Sequence, residues 1–256
     1  MRLVVKVGTS TLTYQTGKAN FKFIDNLCKV LSDLKNAGNE VILVSSGAIA
    51  RGVEKLAFSR KPTDIPTKQA AAAVGQCELM YTYDKFFSDY GQTVAQILIT
   101  ADDVSDDKRR ENFHNTLVRL LELGIIPVIN ENDTIATKEI SLGDNDSLAA
   151  IVAVSVEADL LVVLTDIDGL YTGNPKTDEN AELIPLVEEI TEEMELSAGG
   201  AGTFGTGGMS TKLQAAKMCM DNGINMVIAK GGDADIIYKA VNGEDAGTKF
   251  IGRRKL

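Results

Sequence analysis

Six short, apolar-rich runs recur along the chain, at Leu3–Val7, Val41–Val44, Thr93–Ile99, Ile125–Ile129, Leu160–Leu164 and Met226–Ala229. They are nearly continuous rather than alternating, the pattern of strands buried on both faces. Helical spacing fills the intervals. Ile24, Leu27, Cys28, Leu31 and Leu34 form one apolar stripe, closed by Gly38 where a left-handed C-cap belongs. Leu79, Met80, Tyr83, Phe86, Phe87 and Tyr90 form another, inside an Ala-rich helix expected over Gln69–Tyr90. Strands separated by helices must be joined by crossovers, which predicts an α/β fold: an open, mainly parallel sheet with helices on both faces. Pro127 cannot donate to a ladder, so its run is expected at a sheet edge.

With 256 residues and no Pro-rich or Ser-rich linker, one domain spanning 1–256, with two lobes, fits better than two independent domains. A hydrophobic fraction of 44% against 24% charged residues is enough to form a core and excludes disorder. No apolar run approaches the ~20 residues of a spanning helix, so no membrane partner is expected. Cys28, Cys77 and Cys219 lie far apart without CxxC pairing. That suits free buried thiols in a reducing compartment, and a cytoplasmic location is expected. A net charge of −10 repels a phosphate backbone, so no nucleic acid partner is expected either. The basic clusters at Lys108–Arg110 and Arg253–Lys255 read as solvated charges.

Open parallel sheets bind ligands beyond the carboxyl ends of their strands. Four segments stand there. Lys6-Val7-Gly8-Thr9-Ser10 follows the first strand, and Ser45-Ser46-Gly47-Ala48 follows the second and opens a helix. Thr165-Asp166-Ile167-Asp168-Gly169 follows Leu164, and Gly205-Thr206-Gly207-Gly208-Met209-Ser210-Thr211-Lys212 opens a helix running to about Asn222. Any one of these reads first as a cap or turn. Together they bring two lysines and several Gly/Ser/Thr loops to one sheet edge, which points to a polyanionic ligand.

Familiar nucleotide signatures are absent or out of context. Gly200-Ala201-Gly202-Thr203-Phe204-Gly205 matches GxGxxG but follows the acidic stretch Glu192–Glu195 rather than a strand, and is read as a loop. There is no GxxxxGK[ST], HRD or DFG, which excludes ordinary NTPases and protein kinases. His114 is the only histidine, on a charge-rich helix, and reads as a surface residue; a Ser-His-Asp hydrolase is therefore disfavoured. Asn130-Glu131-Asn132-Asp133 and Gly143-Asp144-Asn145-Asp146 supply more acceptors than helix capping requires. They suit gripping an ammonium group, orienting lysines, or holding Mg²⁺ through water.

In the four segments, in these two acidic stretches and in Lys68-Gln69-Ala70 through Val74-Gly75-Gln76, the sequence resembles the amino acid kinase family over nearly its whole length. The resemblance implies a three-layer α/β sandwich, an N-terminal lobe for the amino acid and a C-terminal lobe for ATP. It implies that Lys6 and Lys212 stabilise the transferring phosphoryl group and that Asp146 positions them. Substrate would bind at Ser46, Gly47, Asp133 and Asn145. ATP would bind at Lys6, Gly8, Thr165, Asp166 and the segment Thr206, Gly207, Gly208, Met209, Ser210, Thr211 and Lys212, with Mg²⁺ whose protein ligands are unassigned.

Within the family, the Asn130–Asp133 and Gly143–Asp146 pair looks like the branch that phosphorylates the γ-carboxylate of L-glutamate in the first step of proline biosynthesis. Aspartate, N-acetylglutamate, carbamate or UMP as acceptor, or a non-catalytic amino acid sensor, are the rival readings. The family pattern also implies feedback inhibition by proline. The small side chains and aromatic residues of the Gln69–Tyr90 helix suit contact with a second subunit as well as an ordinary core helix, and a homodimer or tetramer is expected. A C-terminal domain like RNA-modification modules, common in the family, is not expected here. His114 stands where the family pattern leads one to expect arginine.

The implied chemistry is consistent with the residue inventory. A free glutamate side chain titrates near ~4.3, so its carboxylate is a ready nucleophile at pH 7 and needs no general base. The reaction instead needs positive groups to relieve repulsion between a carboxylate and a polyphosphate.

Overall fold

The computed structural model describes residues 1–136, 145–173, 175, 178–198 and 208–253. In chain order the elements are β1 (Arg2–Val7), α1 (Thr9–Leu12), α2 (Phe21–Asn36), β2 (Glu40–Ser45), α3 (Ala48–Lys55), α4 (Ile65–Asp89), β3 (Val94–Ile99), α5 (Ala101–Ser105), α6 (Asp107–Glu122) and β4 (Ile126–Glu131). They continue with α7 (Asn145–Ser155), β5 (Leu160–Thr165), β6 (Leu170–Tyr171), β7 (Leu183–Ile184), β8 (Leu186–Val187), α8 (Glu192–Ser197), α9 (Met209–Asp221), β9 (Asn225–Lys230), α10 (Ile236–Asn242) and β10 (Thr248–Phe250).

All six apolar runs form strands of one eight-stranded sheet, ordered β3-β4-β2-β1-β5-β9-β10-β8. The ladders from β3 to β9 are parallel, and only β10 runs antiparallel to β9. The pleat divides the side chains between two cores. Val4, Ile42, Val44, Leu161, Val163, Met226 and Ile228 face the layer that holds α6, α7 and α9. Leu3, Val5, Val7, Val41, Leu43, Val162 and Val227 face α2, α4 and α10. This is the expected α/β sandwich with helices on both faces.

Pro127 overturns one expectation, because β4 lies between β3 and β2 rather than at the edge. Ile126 N–H bonds to Thr93 O on the β3 side, so the Pro127 nitrogen faces β2. There the β2–β4 ladder begins only at Val128, so no hydrogen bond is forfeited.

α2 ends as its sequence predicts. Gly38 takes φ +93°, and Asn39 N–H reaches back to Leu34 O at 3.2 Å, closing a Schellman motif. α4 begins before the expected Gln69, because the Asp64 side chain accepts from Thr67 N–H and Pro66 sits in the first turn. Its small residues serve contact within the chain. A Cβ on Gly75 would stand 1.8 Å from Ala48 O, and one on Gly52 1.8 Å from Ala71 O, so α3 and α4 touch backbone to backbone.

Cys28 and Cys219 are buried free thiols, whereas Cys77 is exposed, contrary to expectation. Burial raises the Cys28 thiol, with a further push from the Asp25 charge, and burial raises Cys219 to about 12. His114 is exposed, as expected, with Nδ1 2.6 Å from Ser155 O. Arg109 and Arg110 are exposed and pair with Asp103 and Asp107.

Candidate active site

Because the central strands run parallel, the segments after β1, β2, β4 and β5 emerge on one edge of the sheet. There they line a cleft of about 750 Å³. The N-termini of α3 and α7 and the first turn of α9 also reach it. A helix N-terminus carries a partial positive charge and unpaired N–H groups, so this edge is suited to anions.

The centre of the cleft is a buried ion triad. Lys6, 7% exposed at the end of β1, places Nζ 2.5 Å from Asp146 Oδ1. Lys212, 3% exposed in the first turn of α9, places Nζ 3.0 Å from Asp146 Oδ2. Asp146 itself is 0% exposed in the first turn of α7. Burial alone raises its carboxyl, but the charges of Lys6 and Lys212, and their hydrogen bonds, outweigh that and hold it below the ordinary carboxylate range. Two lysine amines flank one carboxylate in a poorly solvated place. An anion entering the cleft meets a charge already positioned for it.

One end of the cleft is built from amides, a hydroxyl and carboxylates. Gly47, at φ +99°, turns the chain sharply after β2, and Ala48 opens α3. Asn145 Nδ2 donates to Ser45 O at 2.8 Å and to Ser46 Oγ and Asn130 Oδ1 at 2.9 Å each. Asp133, in the turn after β4, has its carboxyl pushed up to about 6, first by burial and then by the charge of Glu131. Elsewhere in the cleft, Thr165 at the end of β5 donates through Oγ1 to Asp166 Oδ1 at 3.1 Å.

The structure therefore brings Lys6, Gly8, Ser46, Gly47, Asp133, Asn145, Thr165, Asp166 and Lys212 to one cleft, with Asp146 beneath the two lysines. Gly208 caps α9, and Met209, Ser210 and Thr211 form its first turn. Of that described stretch, Lys212 is the residue that lines the cleft. Thr206 and Gly207, the GxGxxG segment, and Gly143 and Asp144 lie outside the described residues. Lining residues with polar side chains that are absent from the sequence-based site are Thr9, Ser10, Lys61, Asn130 and Glu131. All but Lys61 belong to motifs already quoted. Lys61 sits in the loop before α4, where a single lysine carries no pattern.

Among the described residues no three His, Cys, Asp or Glu side chains group as a metal site, and both oxygens of Asp146 are taken by lysines. In phosphoryl transfer magnesium usually takes few protein ligands and is held largely by nucleotide phosphates and water.

Comparisons with known proteins agree with the fold and the motifs. Residues 1–230 match the Amino acid kinase family. The chain is 53% identical to glutamate 5-kinase of Clostridium acetobutylicum over 255 residues, covering 99% of this chain and 96% of the relative. It is 52% identical to glutamate 5-kinase of Listeria monocytogenes serotype 4b, covering 99% and 94%. It is 53% identical to that of Moorella thermoacetica, covering 98% of this chain and 67% of the relative. Among solved structures, carbamate kinase from Giardia lamblia bound to AMP-PNP superposes with a TM-score of 0.70 at 15% identity, covering 98% of each chain. An isopentenyl phosphate kinase superposes at 0.66 and 14%, covering 98% of this chain and 100% of the other. These two speak to the fold alone. On the family match, the near-complete relatives and the shared architecture, the chain belongs to the amino acid kinase family.

Proposed function

We propose that the chain transfers the γ-phosphoryl group of ATP to the γ-carboxylate of L-glutamate, the glutamate 5-kinase reaction that opens proline biosynthesis. The observation that carries this reading is the buried Lys6–Asp146–Lys212 triad, sharing one cleft with Asp133 and Asn145. Relatives of the same activity at 50–53% identity over nearly the full chain support the choice of acceptor.

A carboxylate oxygen of glutamate attacks the γ-phosphorus, the bond to the ADP oxygen breaks, and the acyl phosphate forms. The nucleophile is already ionised, so the protein's task is alignment and charge stabilisation. Lys6 and Lys212 offset the charge on the phosphoryl oxygens. Asp146 holds both amines in place and does not itself take up a proton, because its carboxyl lies below the usual range. Asp133 receives the α-ammonium group of the amino acid, and Ser46, Gly47 and Asn145 fix its remaining polar atoms. Gly8, Thr165, Asp166 and the segment from Thr206 to Lys212 receive the nucleotide, whose phosphates bring Mg²⁺. The amino acid then occupies the N-terminal lobe and ATP the C-terminal lobe.

Proline, which shares the α-ammonium and α-carboxylate of glutamate, competes for the same end of the cleft as a feedback inhibitor. The chain works as a homo-oligomer in the cytoplasm. Among the described residues no helix is long and apolar enough to cross a membrane.

The test is to supply Mg-ATP, hydroxylamine and one candidate acceptor at a time. A coloured hydroxamate with L-glutamate is expected. Hydroxamate only with aspartate, or ADP release driven only by UMP, overturns the acceptor, and no ADP release with any of them overturns catalysis.

A further inference from the structure

The amide groups at the amino acid end of the cleft are oriented by two backbone groups whose roles are fixed by chemistry. Glu131 N–H, which can only donate, bonds to Asn130 Oδ1 at 2.9 Å. The Asn130 amide must then turn Nδ2 the other way, and that nitrogen donates to Gln76 Oε1 at 2.9 Å. At the other end of the chain of bonds, the Ser45 carbonyl can only accept, which fixes Nδ2 of Asn145 as its donor. The same nitrogen also donates to Asn130 Oδ1 and Ser46 Oγ. With two hydrogens spread over three acceptors, Asn145 has only Oδ1 left to offer the cleft, as an acceptor. Ser46 Oγ already accepts, so its hydroxyl hydrogen is free to donate.

That polarity suits an α-amino acid, whose ammonium needs an acceptor and whose carboxylate needs a donor. We propose that Gln76 is a positioning residue for the amino acid acceptor, acting through Asn130 to hold Asn145 and Ser46 in this donor–acceptor sense. Gln76 does not line the cleft. It is 7% exposed on the buried face of α4, between Ala72 and Leu79. A buried amide is costly where an apolar side chain would pack, unless its hydrogen bond does something a leucine cannot. Without Gln76 Oε1, one Asn130 hydrogen loses its acceptor, and the amide is held toward Asn145 by the bonds to its oxygen alone, so its orientation is less firmly fixed. The proposal rests on the reading of the chain as a kinase with a glutamate acceptor.

Two variants of the full chain test it. Gln76→Met keeps the length and removes the acceptor, whereas Gln76→Glu keeps an acceptor oxygen. With ADP release as the assay, Gln76→Met is expected to raise the KM for glutamate about tenfold while the KM for ATP stays within about twofold. Gln76→Glu is expected to restore most of the loss. Gln76→Ala, in which water can occupy the vacated position, covers the case where the methionine variant does not fold. Its KM for glutamate should move the same way by a smaller factor. An unchanged KM for glutamate, equal rises in both KM values, or no rescue by Gln76→Glu overturns the proposal. A second readout needs no acceptor: the side-chain amide protons of Asn130 and Asn145, followed by NMR, should exchange slowly in the wild type, quickly in Gln76→Met, and slowly again in Gln76→Glu. Fast exchange in the wild type overturns the relay whatever the acceptor proves to be. Slow exchange in a chain that does not phosphorylate glutamate leaves the relay standing and overturns the acceptor reading alone.

Discussion

Lys6 Nζ lies 2.5 Å from Asp146 Oδ1, an ion pair that joins the end of the first strand to the first turn of α7 beneath the cleft. With Lys212 on the other oxygen, the carboxylate compensates two buried cations. Asp146→Asn removes that compensation and is expected to cost about 3–5 kcal/mol of stability, the usual result of breaking a buried ion pair from one side. Urea titration at pH 7 checks it. Because the folded carboxyl is held below its unfolded value, the wild type's share of this stability is present above the ordinary carboxylate range and disappears as the pH falls through the lowered folded value. The gap between wild type and Asp146→Asn should therefore narrow in acid. A gap that widens contradicts the assignment of the charge.

Removing either lysine of the triad should show in turnover more than in folding. Lys6→Ala and Lys212→Ala are each expected to lower kcat by at least about 10²–10³-fold, the scale of losing one preorganised donor to a transition-state oxyanion. Glutamate-dependent ADP release measures it. Wild-type turnover in either variant removes the triad from the mechanism.

Asp133 has a carboxyl pushed up to about 6 by burial and by Glu131. A raised carboxyl stabilises the fold below its unfolded value near ~3.9 and loses that contribution as the pH rises through about 6. Its ionised form is the one that attracts an ammonium group, so kcat/KM for glutamate should fall as the pH drops below about 6. Asp133→Asn should lower kcat/KM at pH 7.5 and flatten that acid limb. A limb that persists unchanged in Asp133→Asn assigns the titration to another group.

Much of this arrangement was legible in the sequence because apolar runs, glycine turns and hydroxyl-rich helix starts are local signals. The six strands and the edge where their loops converge followed from them. Pro127 was misread, since which residues of a strand meet which neighbour is a matter of register, and register is set by tertiary pairing. Gln76 was visible only as part of a motif. A polar residue between Ala72 and Leu79 on the buried face of a helix signals a buried bond, but not its partner. Lys61 gave no signal, because a lysine in a loop of Ser, Arg, Pro and Thr is ordinary until folding brings that loop to the cleft.

The close α3–α4 crossing links packing to the site, since Ala48, whose carbonyl lies where a Gly75 side chain would stand, also lines the cleft. Gly75→Ala forces the helices apart and is expected to cost about 1–3 kcal/mol or more, by overpacking. It should also raise the KM for glutamate, because the displaced α3 carries the Ser46–Ala48 turn away from Asn145. Thermal unfolding and substrate titration measure the two effects. A lowered Tm with an unchanged KM shows that the cleft is insulated from this contact.

Lys61 supplies the last charge in the cleft. Of the described lysines lining it, Lys6 and Lys212 are bound to Asp146, whereas Lys61 is exposed. The same cleft presents the carboxylates of Asp133 and Glu131, which in the proposed reading match the ammonium group of glutamate but repel its α-carboxylate. An exposed lysine on this cleft would offset that repulsion through solvent, a modest and screened effect. Lys61→Ala is expected to raise the KM for glutamate about 2–5-fold with kcat unchanged, and Lys61→Glu to raise it further. Both differences should shrink between 50 mM and 500 mM salt, spans over which the screening length falls from about 14 Å to about 4 Å. An effect of Lys61→Glu on ATP rather than glutamate would place this lysine beside the nucleotide.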